Sequence, residues 1–390
     1  MKIAVIGYGH RMQEVIRNLG KTSPEKVEIV AVTDPQRDAV EQVMRRDGFW
    51  QDGCRFFDDA DEMLDQVSCD GVMVGTRCHL HAQMGAKVLR RSLPLFLEKP
   101  IATTYEDAHQ LWQAYEQGGK PPVVVSFPLR VTTLALQAKA ILQSGQIGQI
   151  AHVQAINNVP YGPGYFQRWY RDEGETGGLF LQKATHDIDA VHALIGLKPV
   201  EVCAMTSKQI FRGGEPAGKR CTECEKRETC TESPESLRRH FHEERRDTWC
   251  CFAVDTGNED SGSMIVRYEN GLHCSYSQNF FARKKAATRM IRVLGYRGTL
   301  ELDWYTNRVQ VFMHDSGMVQ TDDFSQGDSG HWGGDEALTT SFAECILKGK
   351  PSVAPLEAGM DSVLVCLAAR QSALTRRFVE VARRCGLERR

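Results

Sequence analysis

The amino-acid sequence predicts an α/β protein, with an N-terminal doubly wound parallel sheet followed by an α+β domain built on a largely antiparallel, open sheet. Two observations carry this. Short β-branched runs alternate with helical-period segments over the first third of the chain, and longer alternating strands separated by hairpin signals follow Pro128. At 390 residues the chain is long enough for two cores. The division is expected at 124/125, leaving 1–124 and 125–390 as the two domains.

In the first domain Lys2–Ile6, Val27–Thr33, Gly71–Val74, Pro94–Leu97 and Pro122–Phe127 read as strands. Gln13–Leu19, Ala39–Arg45, His81–Leu89 and Tyr105–Tyr115 carry apolar residues at helical spacing between them. Strand, helix, strand at this interval implies parallel strands with helices on both faces. In the second domain Leu134–Leu142 reads as a helix closed by Ser144-Gly145. Strands are expected at Ala151–Asn157, Glu201–Thr206, Ser263–Tyr268, Leu272–Gln278, Thr288–Leu294, Thr299–Asp303 and Arg308–Met313. Glu269-Asn270-Gly271 and Tyr296-Arg297-Gly298 supply hairpin turns, and Glu336–Leu347 and Ala358–Thr375 return to helix.

Lys plus Arg number 48 against 50 Asp plus Glu, a formal net charge of −2. Without surplus positive charge nothing is available to neutralise a phosphate backbone, so no nucleic-acid partner is expected. No run approaches the ~18 apolar residues of a membrane span. The four apolar residues between Lys2 and Gly7 fall short of the roughly 7–15 of a secretory signal. A cytoplasmic protein with no membrane partner is the expectation.

Gly7-Tyr8-Gly9-His10-Arg11-Met12 follows the first strand and opens a helix. The first glycine permits a sharp turn, the second lets a pyrophosphate approach the backbone, and the helix N-terminus attracts its charge. Met12 stands where the usual pattern has a third glycine. Asp34 ends the second strand, where a carboxylate would bind ribose hydroxyls and repel a 2′-phosphate. NAD is the expected cofactor, held by a Rossmann domain, with Arg37 leaving NADP open.

Two further stretches lie at the ends of successive strands: Val74-Gly75-Thr76-Arg77-Cys78-His79-Leu80-His81 and Phe96-Leu97-Glu98-Lys99-Pro100. With Gly7–Arg11, with Ser144–Gly148, with Gly177-Gly178 leading to His186 and Asp189, and with Gly330-His331-Trp332-Gly333-Gly334-Asp335, they resemble the Gfo/Idh/MocA oxidoreductases over almost the whole chain. The resemblance implies a substrate and oligomerisation domain after the Rossmann domain, and an active site between the two. It also implies cofactor contacts from Gly7, Gly9, His10, Arg11, Asp34, Thr76, His79, His81, Glu98 and Lys99. A homodimer or homotetramer acting on a sugar-like small molecule is expected.

Lys99, at the carboxyl end of a parallel strand, could hydrogen-bond a substrate hydroxyl and stabilise an alkoxide. Gly178–Asp189 reads as a helix that sets Gln182, His186 and Asp189 along one face, with Lys183 beside His186. A histidine of ordinary pKa near 6.5 suits a proton acceptor. Lys99 and His186 are therefore the expected catalytic residues, and Lys183, Gln182, Asp189, Arg130, Tyr170 and His331 the expected substrate contacts. Many similar dehydrogenases have Asp where this chain has Gln182, so the usual carboxylate behind the histidine is missing.

Five of the thirteen cysteines cluster in an insertion at about 215–251: Cys221, Cys224, Cys230, Cys250 and Cys251. Clustered thiols in a reducing compartment point to a metal, and Cys-x2-Cys places two thiolates on one turn. A structural zinc held by Cys221, Cys224, Cys230 and Cys250 is expected, with His240 and His242 as outlying alternatives. An iron–sulfur cluster or plain reduced thiols stay open. Cys250 is preferred to Cys251 because Cys250-Cys251-Phe252 resembles a Cys-x-aromatic step in similar family members.

The expected activity is hydride transfer between NAD and a carbinol of a sugar, polyol or sugar derivative. Two alternatives use the same features: a glycosidase that oxidises, eliminates and re-reduces with bound NAD, and a non-catalytic dinucleotide-binding sensor. Net turnover of NAD separates the first pair. Retention of Lys99 and His186 argues against the sensor.

Overall fold

The computed structural model describes residues 1–236, 248–324 and 330–383. Its first sheet has six parallel strands: β1 (Lys2–Ile6), β2 (Glu28–Thr33), β3 (Arg55–Phe57), β4 (Gly71–Val74), β5 (Leu95–Leu97) and β6 (Val123–Val125). The order β3-β2-β1-β4-β5-β6 reverses direction between β1 and β4, and open α/β sheets bind ligands outside the carboxyl ends at such a point. β4, β5 and β6 are buried on both faces, which is why they read as continuous apolar runs. β3 and the helix Ala60–Gln66 are additions to the expected elements. Asp59 caps that helix by accepting from the N–H groups of Asp61 and Glu62.

The second sheet has nine strands: β7 (Ile150–Asn158), β8 (Pro199–Ser207), β9 (Ser261–Tyr268), β10 (His273–Asn279), β11 (Thr288–Gly295), β12 (Gly298–Asp303), β13 (Arg308–Met313), β14 (Val319–Asp323) and β15 (Val379–Glu380). Their order is β14-β13-β12-β11-β7-β10-β9-β8-β15, antiparallel throughout except where β7 and β10 run parallel. The hairpins at Gly271 and Gly298 fall where the turn residues placed them, and Gly271 takes a φ of 88°. The helix Leu356–Thr375 packs on β8 and on the helix Thr185–Ile195.

The helix Gly334–Lys348 belongs by sequence to the second half but packs into the first core. Leu338, Phe342 and Ala343 share a buried cluster with Ile3, Val5, Met12 and Ile16. Phe342 meets Phe96 edge to face at 5.8 Å. The chain thus crosses back to the nucleotide-binding side, and its crossing segment, His331–Asp335, lies beside the site. Among the described residues no helix is long and apolar enough to cross a membrane.

Candidate active site

The turn after β1 is tight enough to require glycine at position 7. Gly7 has a φ of 83°, and a Cβ there would lie 2.7 Å from the Thr76 nitrogen. At Gly9 a Cβ would meet only the Gly75 carbonyl at 3.9 Å, so the space beside the helix N-terminus is open to a ligand. Asp34 stands at the end of β2, where one oxygen accepts from Tyr8 N at 2.7 Å and the other from Gln36 N at 2.8 Å. Arg37 lies over the Phe56 ring at 5.0 Å. This cradle fits a dinucleotide: an open helix N-terminus, with a carboxylate at the neighbouring strand end.

Several residues expected at the cofactor have other partners. His10 is exposed, 3.5 Å from Glu14. Arg11 turns toward the second half of the chain. Its Nε donates to Glu98 at 3.1 Å, its two terminal nitrogens grip Asp335 at 2.8 and 2.6 Å, and one of them reaches Ser126. His81 is buried as a strut, with Nδ1 2.8 Å from the Pro100 carbonyl and Nε2 3.1 Å from that of Thr76. Burial pushes its pKa down. His79 Nδ1 lies 3.1 Å from Glu175.

Lys99 follows β5 and Glu98, and its ammonium donates to the Gln182 carbonyl at 2.7 Å and to the Gln182 side-chain oxygen at 3.1 Å. Burial, reinforced by the neighbouring Lys183 charge, pulls its pKa down to about 7. The helix expected at Gly178–Asp189 is present with one modification. Gly177 and Gly178 both take positive φ, and Phe180–Ala184 forms a single π-helical turn before the α-helix Thr185–Ile195. Glu259 caps its start by accepting from the N–H groups of Leu179 and Phe180, and burial pushes that carboxyl up to about 7.

The wider turn alters which side chains share a face. Gln182 faces Lys99, while Lys183 is bonded to the Tyr161 hydroxyl. Asp189 pairs with Arg130 at 3.0 Å, and burial raises its carboxyl to about 7 despite that partner. Arg130 and Asp189 thus serve each other. Tyr170 stacks on Trp169 at 3.9 Å, and Arg77 lies 4.0 Å over that indole.

His186 is buried against Phe127, with ring centroids 5.9 Å apart. Its pKa is pushed well below the usual value by burial, then by the charges of Lys99, Arg289 and Lys183. It is therefore neutral near pH 7 and able to accept a proton. Burial lowers the Lys183 pKa as well. Burial alone would raise the Tyr161 phenol, but the Lys183 and Arg289 charges bring it below its ordinary range.

Arg289 went unnoticed in the sequence, and Asp187 and Asp335 were given no role there. Arg289 on β11 donates to Asp187 at 2.7 Å, and Asp187 also accepts from Asn157 at 2.7 Å and Tyr276 at 2.8 Å. Asp335 holds His331 Nδ1 at 2.9 Å. Arg289 had a readable signal, since it occupies an inward position of the strictly alternating strand β11. The site therefore gathers Lys99, Lys183 and Arg289 around a neutral histidine, with the Asp187 carboxylate already fully bonded. Such a surplus of positive charge suits an oxygen that becomes negative during reaction.

The zinc expectation finds no support. Among the described residues no three His, Cys, Asp or Glu side chains lie close enough to hold a metal ion. His240 and His242 lie outside the described residues. The insertion has backbone bonds of its own: Cys221 N donates to Thr248 O and Cys250 N to Lys219 O, both at 2.8 Å. Burial raises the Cys221 and Cys250 thiols, as do neighbouring thiols, which favours the protonated form. Cys251 packs with Phe166, Phe211 and Phe280 in a small core.

Residues 1–127 match the description "Oxidoreductase family, NAD-binding Rossmann fold", and residues 139–381 match "Oxidoreductase family, C-terminal alpha/beta domain". The chain is 26% identical over 350 residues to YteT of Bacillus subtilis (strain 168), covering 80% of this chain and 81% of that protein. It is 28% identical over 210 residues to inositol 2-dehydrogenase 2 of Saccharopolyspora erythraea, covering 54% of this chain and 58% of that one. The chain thus spans little more than half of that dehydrogenase. Levoglucosan dehydrogenase in complex with NADH and L-sorbose superposes with a TM-score of 0.78 at 18% identity, covering 99% of this chain and 100% of that one. Aldose-aldose oxidoreductase from Caulobacter crescentus, complexed with glycerol, gives 0.73 at 17% identity, covering 97% and 99%. At such identities the two structures establish the fold. Taken with the family matches over both halves, they show that this chain belongs to the Gfo/Idh/MocA oxidoreductase family, with an NAD-binding Rossmann domain.

Proposed function

We propose that the chain is an NAD-dependent dehydrogenase or reductase acting on a CH–OH group of a sugar, polyol or sugar derivative. The observation that carries this reading is the convergence of Lys99, Lys183 and Arg289 on the neutral, buried His186, outside the carboxyl end of β5. Bound NAD supplies the hydride acceptor. The turn at Gly7 and Gly9 and the Asp34 carboxylate would hold it, and Asp34 disfavours a 2′-phosphate. His186 takes the hydroxyl proton, and the Lys99 ammonium stabilises the oxygen as negative charge develops. Inositol 2-dehydrogenases among the relatives and a levoglucosan dehydrogenase among the similar structures support a carbohydrate-sized alcohol.

The test is an absorbance screen at the NADH band against cyclic and open-chain polyols and aldoses, with NAD and NADP in parallel. Net NADH formation with at least one polyol or sugar is expected. Cleavage of a glycoside without net NADH formation would point to the redox-neutral glycosidase instead.

A further inference from the structure

We propose that His331, with Asp335 behind it, passes the proton of the reaction to solvent, so that the carboxylate–histidine pair of this site lies on the segment crossing back to the first domain. This rests on the oxidoreductase reading above and adds a proton path to it.

His186 is well placed to receive a proton and badly placed to keep one. Its charged neighbours Lys99, Lys183 and Arg289 are all cations, and its Nδ1 is buried without a hydrogen-bond partner. The residue one turn before it is the neutral Gln182. An imidazolium there would be unstable, so the proton must move on.

His331 has the opposite surroundings. Its Nδ1 lies 2.9 Å from Asp335, which is 3% exposed and held ionised by Arg11. Burial alone would raise the Asp335 carboxyl, but hydrogen bonds from Arg11 and His331 bring it far below the usual range. Donation from Nδ1 to that carboxylate leaves Nε2 as the free nitrogen and stabilises the charged ring. The two histidine rings are 6.4 Å apart between centroids, a separation that one bridging oxygen can span. The His331 side chain is 37% exposed, whereas His186 is buried. Arg11 from the first helix shares Asp335 with His331, and the turn Pro128–Val131, which carries Arg130, packs on the His331 segment. Arg11 is bound to Glu98 and Asp335, and Arg130 to Asp189.

The backbone supplies a second, independent mark. His331 and Trp332 have φ of 50° and 54°, two successive non-glycine residues in the left-handed region. Such strain is unfavourable for side chains other than glycine and persists only where the surrounding structure over-determines it. Trp332 packs edge to face on Tyr305 at 5.9 Å, which holds the distorted segment in place.

The step balances. The substrate O–H and C–H bonds break, the hydride leaves with its electron pair to reduce NAD, and C=O forms. The proton goes to His186, then through one water to His331 and out.

The experiment uses the full chain with histidine isotopically labelled and NADH bound. The ring signals lost in His331→Asn should show a proton held on Nδ1, the nitrogen that faces Asp335. In Asp335→Asn, where a neutral amide replaces the carboxylate, that proton should exchange with solvent at least about tenfold faster. A His331 whose proton sits on Nε2 alone, or whose Nδ1 proton ignores Asp335→Asn, overturns the pair. His331→Asn, altered at a half-exposed side chain, should also lose at least tenfold in turnover on the best polyol of the screen. Added imidazole should restore part of it, since a small diffusible base can replace the lost ring. Full turnover in His331→Asn overturns the relay. If the wild type forms no NADH with any polyol or sugar, the oxidoreductase reading has failed instead, and the Nδ1 proton still decides the His331–Asp335 pair.

Discussion

Gln182 accepts two hydrogen bonds from the Lys99 ammonium, one on its carbonyl at 2.7 Å and one on its side-chain oxygen at 3.1 Å. Both acceptors are neutral, so the lysine is oriented without its charge being fixed, and its pKa stays near the about 7 that burial and Lys183 impose. Below that pH it is a cation and a proton donor, and above it neither. In the reducing direction, turnover should fall as pH rises through about 7. Gln182→Asp places a carboxylate beside the ammonium and should move that limb upward by roughly one unit or more. Lys99→Ala should cost on the order of a hundredfold in turnover while leaving NAD affinity within a few-fold. A limb that stays put in Gln182→Asp would assign the titration to another group.

The same burial has a stability cost. Between about 7 and 10.5 the unfolded chain holds a proton on Lys99 that the folded chain has lost, so stability rises with pH across that window. Below it the folded protein carries the full cost of a desolvated ammonium. Lys99→Met should therefore be inactive yet unfold a few degrees higher at pH 7. The gap should narrow as pH approaches 10. Thermal unfolding at several pH values checks this, and a destabilised Lys99→Met at neutral pH contradicts it.

The strands, the glycine turn and Lys99 were legible because each has a local cause. Gly7 is needed for a positive φ, and β1 to β6 are apolar since both faces are covered. Glu98-Lys99-Pro100 sits at a strand end. What escaped the sequence depends on tertiary context. A π-helical turn at Phe180–Ala184 has no periodic signature, and it falls between Gln182 and His186; Asp189, three residues after His186 on the same α-helix, has Arg130 as a partner that comes from another element. The resemblance implied a cofactor contact from Arg11, and nothing local in the sequence showed that Asp335, 324 positions later, would bind its guanidinium. The cysteine spacing suggested zinc, and the chain does fold back to set Cys221 near Cys250, but spacing does not report whether three side chains converge on one point.

Cofactor choice should rest on Asp34, because Arg37 is turned onto Phe56. The carboxylate is fixed by the N–H groups of Tyr8 and Gln36, and a 2′-phosphate beside it would meet a like charge. NAD should bind at least about tenfold more tightly than NADP, a difference of about 1.4 kcal/mol. Asp34→Ser should erase most of it. Calorimetry giving equal affinities in the wild type would shift the assignment to Arg37.

Met12 fills the place of the third glycine and is fully buried, and the strand end opposite it is Gly75. A Cβ on Gly75 would come 2.6 Å from Met12 Cε, 3.1 Å from Met12 Cβ and 3.3 Å from the Gly7 carbonyl. The close helix–strand approach is thus preserved by moving the small residue from helix to strand. The Met12 terminus can swing aside, but its Cβ and the Gly7 backbone cannot. Gly75→Ala should therefore destabilise by about 1–2 kcal/mol and loosen the turn that receives the dinucleotide. Met12→Ala alone should also destabilise, by about 2–4 kcal/mol, because it empties a buried volume. The double variant Met12→Ala/Gly75→Ala should be less destabilised than the sum of the two, since the new methyl occupies part of the space the methionine vacates. Denaturant unfolding of the four proteins, with NADH titrations alongside, measures the coupling. Strict additivity would mean that Met12 and Gly75 do not constrain each other, and the missing glycine would need another explanation.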